Sequence, residues 1–323
     1  MRLGLTSASY QYLFGGDGDA FVDRTSGRFD WRGLPRPYFT QTGPIVAAES
    51  VELWQIERAK QLGVPVVHCP IADWGEENVR RVKAALEANG QELMPAIGAD
   101  LVVRGSEHNR EIEAAIELIE RYRAFGDVTI SKFCLAPMIY NRFRSEPPLR
   151  EQLDRMIDGL RPIAKAAESA GIVLALENHL DYRAVEIVEI IEAVGSPSLK
   201  FLFDTGNPFS VCEDPVAAAQ AAAPYTVLVH VKDVVVLPWT PESGSYFACM
   251  YACPLGEGNV EIPRIIEILA EQAPQADDLV LAVEVTPLPV TADEDLWVEK
   301  GVEWMRRHLT QYLETPVSTA AAK

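Results

Sequence analysis

The segment KFLFDTGNP, residues 200–208, decides how this chain is read. Phe201, Leu202 and Phe203 run directly into Asp204, and Thr-Gly-Asn-Pro then breaks the chain. A short apolar run bounded by turn residues reads as a strand covered on both faces. Ending such a strand on a carboxylate is costly unless something compensates for its desolvation. Both fold and chemistry therefore turn on whether neighbouring strands carry matching groups at the same level.

Similar runs recur along the chain, at residues 2–6 (RLGLT), 64–69 (VPVVHC), 92–97 (ELMPAI), 128–136 (VTISKFCLA), 172–177 (IVLALE), 199–204 (LKFLFD), 226–231 (TVLVHV) and 279–285 (LVLAVEV). Amphipathic stretches of helical length separate them. VELWQIERAKQLG and EENVRRVKAALEANG each close on a glycine at a C-cap position. Eight strand–helix alternations with no compositional break predict an α/β fold, a single (β/α)8 TIM barrel over residues 1–313. An open doubly wound sheet is the alternative, because alternation alone does not establish closure. Residues 314–323, ETPVSTAAAK, read as a flexible tail.

Two connections are too long to be plain turns. Residues 10–45 follow the first strand and residues 237–259 follow the seventh, and both are rich in glycine and aromatic side chains. As insertions after strands they belong on the C-terminal rim, the face where barrel active sites lie. A net charge of −18 disfavours a nucleic-acid partner. Five cysteines, with Cys249 and Cys253 as an isolated C-x3-C pair, fit free thiols in a reducing cytoplasm. The opening MRLGLTSASY lacks the apolar run of a signal peptide or membrane span.

The carboxylate of Asp204 does have counterparts. Glu177 closes the fifth run, His230 lies near the end of the seventh, and Glu284 occupies the same relative place in the eighth. Adjacent parallel strands stand about 4.8 Å apart, so the four side chains can converge at one level of the barrel mouth. Three carboxylates meeting without a cation would repel, and their pKa values would be forced up. A divalent metal removes that cost, and oxygen-rich ligation completed by one imidazole suits Mn, Mg, Co or Zn. Glu177, Asp204, His230 and Glu284 are therefore the candidate metal ligands.

Several neighbours are candidates for supporting roles. His179, two residues beyond Glu177, is placed to donate to a substrate hydroxyl, to act as general acid, or to serve as a partner behind the ligands. Lys232, two beyond His230, is a candidate oxyanion holder, whereas Asp233 reads as a structural acceptor. His68 at the end of the second run and Lys132 within the fourth are candidates to line the pocket. Glu257, between two glycines of PLGEGNV, is a candidate substrate or loop contact; the segment lacks the context of a nucleotide-binding loop. His108 and His308 fall in helical stretches and are expected to face solvent.

Taken together, LENH (176–179), FDTGNP (203–208), HVKD (230–233), PLGEGNV (254–260) and VEV (283–285) resemble the xylose-isomerase-like TIM-barrel superfamily of sugar isomerases and epimerases. The resemblance is strong in the second half of the chain and rests on strand–helix rhythm in the first. It implies a Mn2+-type ion held by Glu177, Asp204, His230 and Glu284. It also implies, as in the ketose 3-epimerases, that Glu177 and Glu284 move a proton α to a carbonyl while the metal stabilises the enediolate as a Lewis acid. Two positions depart from those epimerases. Asn207 stands where they carry a His three residues after the metal-binding Asp, and Arg183 where they carry a second Glu six residues after the first. Asn207 is thus a substrate-binding candidate of altered chemistry, and the substrate contacts are expected to differ.

A narrower resemblance is to the catalytic subunits of bacterial C-glycoside deglycosidases. They look like this superfamily and use the same four ligands; they cleave 3-oxo-glycosides and work with a small β-rich partner subunit. The sequence therefore leads to a metal-dependent isomerase or epimerase, with this lyase as the alternative. Aromatic rim loops that stack on an aglycone suit the second. A metal-dependent DNA-repair nuclease shares this barrel, but five histidines and the charge of −18 count against it. A non-catalytic binding barrel has no reason to keep converging charges. The expected partner is a carbohydrate or glycoside, with a homo-oligomer open and no membrane involved.

Overall fold

The computed structural model describes residues 1–6, 50–135, 140–237, 249–285 and 293–314; the insertion at 10–45 and the tail beyond 314 lie outside them. Eleven strands are described: β1 (Arg2–Thr6), β2 (Val66–His68), β3 (Glu92–Met94), β4 (Ala96–Gly98), β5 (Ile130–Cys134), β6 (Val173–Glu177), β7 (Leu199–Asp204), β8 (Thr226–Val231), β9 (Asp233–Leu237), β10 (Cys249–Cys253) and β11 (Val280–Val283). The described helices are α1 (Val51–Gln61), α2 (Glu76–Asn89), α3 (Ser106–Phe125), α4 (Leu149–Ala170), α5 (Ala184–Val194), α6 (Pro215–Ala222), α7 (Ile262–Gln272) and α8 (Glu294–His308). Local chemistry sets several of their ends. The Ser50 hydroxyl accepts from the Leu53 N–H to cap α1, and Gly90, Gly171 and Gly195 close α2, α4 and α5 in the left-handed conformation.

Nine strands form one parallel sheet in the order β3-β2-β1-β11-β8-β7-β6-β5-β4. The two end strands, β3 and β4, are halves of one segment parted by Pro95. Proline has no N–H for the ladder, so the strand breaks there. The Pro95 carbonyl still accepts from Lys132 N–H at 2.9 Å and from the Ser131 hydroxyl at 3.1 Å. One half therefore pairs with β2 and the other with β5, which brings the sheet round on itself. Strand order in space follows chain order all the way round, with none of the reversal that a doubly wound sheet requires. The fold is a (β/α)8 barrel.

The inward face of β6, β7 and β8 is built in two tiers. Val66, Met94, Ala175, Leu202, Leu228 and Val280 belong to a small buried cluster of their own, separate from the larger core. By strand alternation Ala175, Leu202 and Leu228 share a face with Glu177, Asp204 and His230, two residues further along. An apolar floor thus lies beneath the ionisable groups. Between β7 and β8 the register shifts: Phe201 pairs with Thr226, yet Leu202 pairs with Leu228. The extra residue on β8 brings Asp204 level with His230, as bulges re-aim side chains near functional sites.

The seventh connection is not irregular throughout. Residues 249–253, which lie inside the loop expected at 237–259, form β10 and pair antiparallel with β9. This ribbon is hidden in the sequence because its two short strands are far apart and its second strand has no strict alternation. Cys69, Cys134, Cys212 and Cys253 are free thiols. No described helix is long and apolar enough to cross a membrane.

Gly4 of β1 offers a test of the wall. A Cβ placed there would meet Val280 Cγ1 at 2.7 Å and Ala282 Cβ at 3.1 Å. Gly4→Ala is expected to lower stability by about 1–3 kcal/mol, as overpacking of a filled core does, read as a fall in Tm. An unchanged Tm would show that β1 and β11 separate freely.

Candidate metal centre

The four residues singled out by the strand ends meet in space. Glu177, Asp204, His230 and Glu284 are all buried, and each offers a ligand atom within 4.8 Å of the others. His230 Nδ1 lies 3.0 Å from Glu177 Oε1, 2.8 Å from Glu284 Oε2 and 3.9 Å from Asp204 Oδ2. Its other nitrogen, Nε2, is buried without a hydrogen-bond partner among the described residues.

The backbone beneath these groups is held by side chains that carry no ligand atom. Asn178 closes a two-way clamp on β7: its Oδ1 accepts from Asp204 N–H at 2.7 Å, and its Nδ2 donates to the Asp204 carbonyl at 3.0 Å. Asp204 Oδ1 accepts from the Gly206 and Asn207 N–H groups at 2.8 and 3.0 Å, which turns Oδ2 toward His230 and Lys232. The Thr205 hydroxyl donates to the Lys232 carbonyl at 2.6 Å and accepts from the Lys232 N–H at 2.9 Å, tying the end of β7 to the end of β8. Asp233 accepts four backbone N–H groups, those of Val234, Gly256, Gly258 and Val260, at 2.9–3.1 Å. That anchoring explains Gly258, where a Cβ would lie 2.1 Å from Asp233 Oδ1; Gly256, with φ +86°, is required instead by Trp304, whose Nε1 a Cβ would meet at 2.1 Å.

Charge at the centre is balanced by two lysines. Lys232 Nζ lies 2.8 Å from Asp204 Oδ2, 2.6 Å from Glu284 Oε1 and 3.0 Å from Asn207 Oδ1. Lys132 Nζ lies 2.5 Å from Glu177 Oε2, and the Cys134 thiol donates to that same oxygen at 3.5 Å. Burial works against the charges of Glu177 and Glu284, but Lys132 and His230 at the first and Lys232 and His230 at the second outweigh it, and both carboxyls are held below their usual range. Asp204 goes the other way. Burial, reinforced by the two glutamates, raises its pKa despite Lys232. His230 is pushed up to about 9, since Glu284 and Glu177 overcome its burial. A cluster that holds a proton on its imidazole and lifts one of its carboxyls is short of positive charge, as a cation-binding site is before it is loaded.

The remaining candidates take distinct places. His68 is buried, with Nδ1 2.7 Å from the Met94 carbonyl. A carbonyl only accepts, so Nδ1 carries the hydrogen and Nε2, which has no described partner, presents a lone pair. Burial and the charges of His230 and Lys132 lower its pKa to about 3, so it is neutral; its ring centroid lies 5.1 Å from that of His230. Asn207 is buried, and because Lys232 donates to Oδ1, its Nδ2 is a donor that meets no described partner. His179 is half-buried with Nδ1 3.5 Å from Asp181 Oδ2. Glu257 is exposed on the turn that Asp233 anchors.

Arg183 does not enter the pocket as a substitute for a carboxylate. Its guanidinium turns to the Val211 and Cys212 carbonyls, at 3.3 and 3.2 Å. His308 is exposed, as expected, whereas His108 is half-buried beside Gly159, where a Cβ would meet its ring at 3.1 Å. The structure also supplies what the sequence did not reveal, namely the clamp of Asn178, the bridge of Thr205 and the pairing of Lys132 with Glu177. The first two lie inside the quoted motifs, but a side chain engaged with backbone leaves no pattern in spacing.

A closed parallel barrel that gathers three carboxylates and one imidazole at the C-terminal ends of its strands defines a class of barrels whose mouth could hold a divalent cation. Within that class the chain belongs to the xylose isomerase-like TIM barrel family, which matches residues 56–308. It superposes on the structure of an L-ribulose 3-epimerase with a TM-score of 0.66 at 16% identity, covering 96% of this chain and 95% of that one. It is 26% identical over 145 residues to the uncharacterized protein YihM of Escherichia coli, covering 44% of this chain and 43% of YihM. It is 25% identical over 175 residues to the inosose dehydratase of Bacillus thuringiensis, covering 51% of this chain and 57% of the dehydratase. The chain thus spans about half the length of these two curated relatives.

Asp233→Ala is expected to free the four amides and lower stability by on the order of 3 kcal/mol. Thermal melting and hydrogen exchange at Gly256, Gly258 and Val260 read this directly. Exchange as slow as in the parent chain would mean that the turn is held by other contacts.

Proposed function

We propose that this chain is a divalent-metal-dependent enzyme of the sugar isomerase/epimerase type, moving a proton α to the carbonyl of a sugar or sugar-like ketone. The observation that carries this reading is the convergence of Glu177, Asp204, His230 and Glu284 within 4.8 Å. These residues would hold the ion. Mn2+ is the first choice by family resemblance, and Mg2+, Co2+ and Zn2+ also suit such a donor set. Once bound, the ion would supply Lewis acidity at the substrate carbonyl.

The chain's own groups then divide the work. Glu177 and Glu284, both within 3.0 Å of His230 Nδ1, are the proton carriers, one removing the α proton and the other returning one. His179 is the candidate general acid, and Lys232 steadies the carboxylates beside any oxyanion. His68 Nε2 accepts from a substrate hydroxyl and Asn207 Nδ2 donates to a substrate oxygen, which satisfies two buried atoms that meet no partner among the described residues. Glu257 contacts the distal part of a substrate at the rim.

A second reading is favoured by the two departures from ketose epimerases. Arg183 is turned away and Asn207 offers an amide, so the site lacks the Glu and His contacts expected for a free ketose. The same base could remove the proton next to a 3-oxo group and let an aglycone leave. That is the lyase chemistry of C-glycoside deglycosidases, which would call for a small β-rich partner chain.

Glu284→Gln is expected to leave the fold and Tm near those of the parent but to cut turnover by about 10²–10⁴-fold or more. EDTA should remove activity and Mn2+ restore it. Activity that survives both would exclude the mechanism. Incubating the Mn2+-treated protein in D2O with free ketoses and with 3-oxo-glucosides, read by NMR and mass spectrometry, separates the two readings. Deuterium in a rearranged sugar marks the isomerase, and aglycone release, alone or with a partner subunit, marks the lyase.

A further inference from the structure

The two lysines of the centre are not equivalent. Lys232 meets Asp204 Oδ2, Glu284 Oε1 and Asn207 Oδ1, one acceptor for each of the three N–H groups of an ammonium. Among the described residues Lys132 meets one acceptor, Glu177 Oε2. Its side chain is 13% exposed against 5% for Lys232. Lys132 therefore keeps donors to spare beside the ligands, whereas Lys232 is fully engaged.

Charge balance says what those donors are for. Glu177, Asp204 and Glu284 bring three negative charges and the two lysines bring two positive ones. His68 Nδ1 faces the Met94 carbonyl, and His179 Nδ1 lies 3.5 Å from Asp181 Oδ2, so neither imidazole adds to this count. A divalent ion held by the four ligands requires a neutral His230. The loaded centre then carries one net positive charge, in a site whose ionisable groups are almost wholly buried. A neutral polyol leaves that charge uncompensated, whereas a monoanion cancels it.

We propose that Lys132 is the anion-holding residue of this pocket, and that its free N–H donors make the metal-loaded site select a monoanionic oxygen ligand, an enediolate or a carboxylate, over its neutral counterpart. This rests on the metal reading above and adds to it a residue and a ligand charge. The two sources of such an anion are the enediolate formed by proton abstraction and an acid group present in the substrate. Lys132 serves either by a charge-assisted hydrogen bond.

Isothermal titration tests this with three probes on the Mn2+-loaded chain: glycolohydroxamate, whose anion has the shape of a cis-enediolate; glycolate, a carboxylate; and neutral glycolamide. The parent chain should bind one of the anions more tightly than glycolamide. Lys132→Met should weaken that anion by roughly ten- to a hundredfold and leave glycolamide unchanged. Lys132→Arg should restore much of the loss, because it returns the charge. Preference for glycolohydroxamate assigns the anion to the enediolate, and preference for glycolate assigns it to the substrate. Mn2+ titrated into the metal-free proteins should bind Lys132→Met at least as tightly as the parent, since a cation beside Glu177 has been removed. If Mn2+ binds both but the anions bind Lys132→Met as well as the parent, the proposal is wrong and the metal centre stands. If the parent takes no Mn2+, the metal reading fails and this proposal fails with it.

Discussion

The mouth of this barrel is governed by the repulsion among three carboxylates brought out of water around a single imidazole nitrogen. Two like charges 4 Å apart cost about 4 kcal/mol at an effective dielectric of 20, and burial adds to that. Contacts of this kind do not hold a fold together, so the fold must hold them. The upward shift of Asp204 and the proton retained by His230 are signs of the same shortage of positive charge. Lys132 offsets it through its ion pair with Glu177, and Lys232 through its ion pairs with Asp204 and Glu284.

What holds the carboxylates is the closed parallel sheet and a set of side chains engaged with backbone. The sheet is completed across Pro95, where β3 pairs in parallel with β2 and β4 pairs in parallel with β5. The bulge between β7 and β8 then brings Asp204 level with His230. Asn178, Thr205 and Asp233 fix the segments that follow β6, β7 and β8 through hydrogen bonds to peptide groups. Side chains set on strand ends and braced in this way keep their geometry better than side chains on free loops.

Much of this was legible in the sequence because it follows from periodicity. Continuous apolar runs give parallel strands, and a carboxylate or histidine at the end of four successive runs gives the four residues that converge at the mouth. Closure did not follow from alternation alone, because alternation does not say which strands pair at the ends of the sheet; the motif resemblance implied it. The β9–β10 ribbon was hidden by the length of chain between its strands, and His108 by a glycine on another helix that makes room for it. Lys132 was visible only as a pocket candidate. Its pairing with Glu177 depends on the register of β5 against β6, which spacing along the chain does not encode.

The departure at Arg183 shows why identity at a position is not enough to infer a contact. Read from spacing alone, replacing a carboxylate by a guanidinium would place a positive charge over the substrate. In the structure Arg183 binds the carbonyls of Val211 and Cys212, its own N–H donates to Glu186, and the next N–H, of Ala184, donates to Glu213. The position has become part of the joint between the start of α5 and the turn after β7. The positive charge at the ligands comes instead from Lys132 and Lys232, which rise from the barrel wall itself and sit within 2.8 Å of the carboxylates. The cations beside the four candidate ligands therefore belong to the strands of the barrel, and the Arg183 position serves the backbone of its own loop.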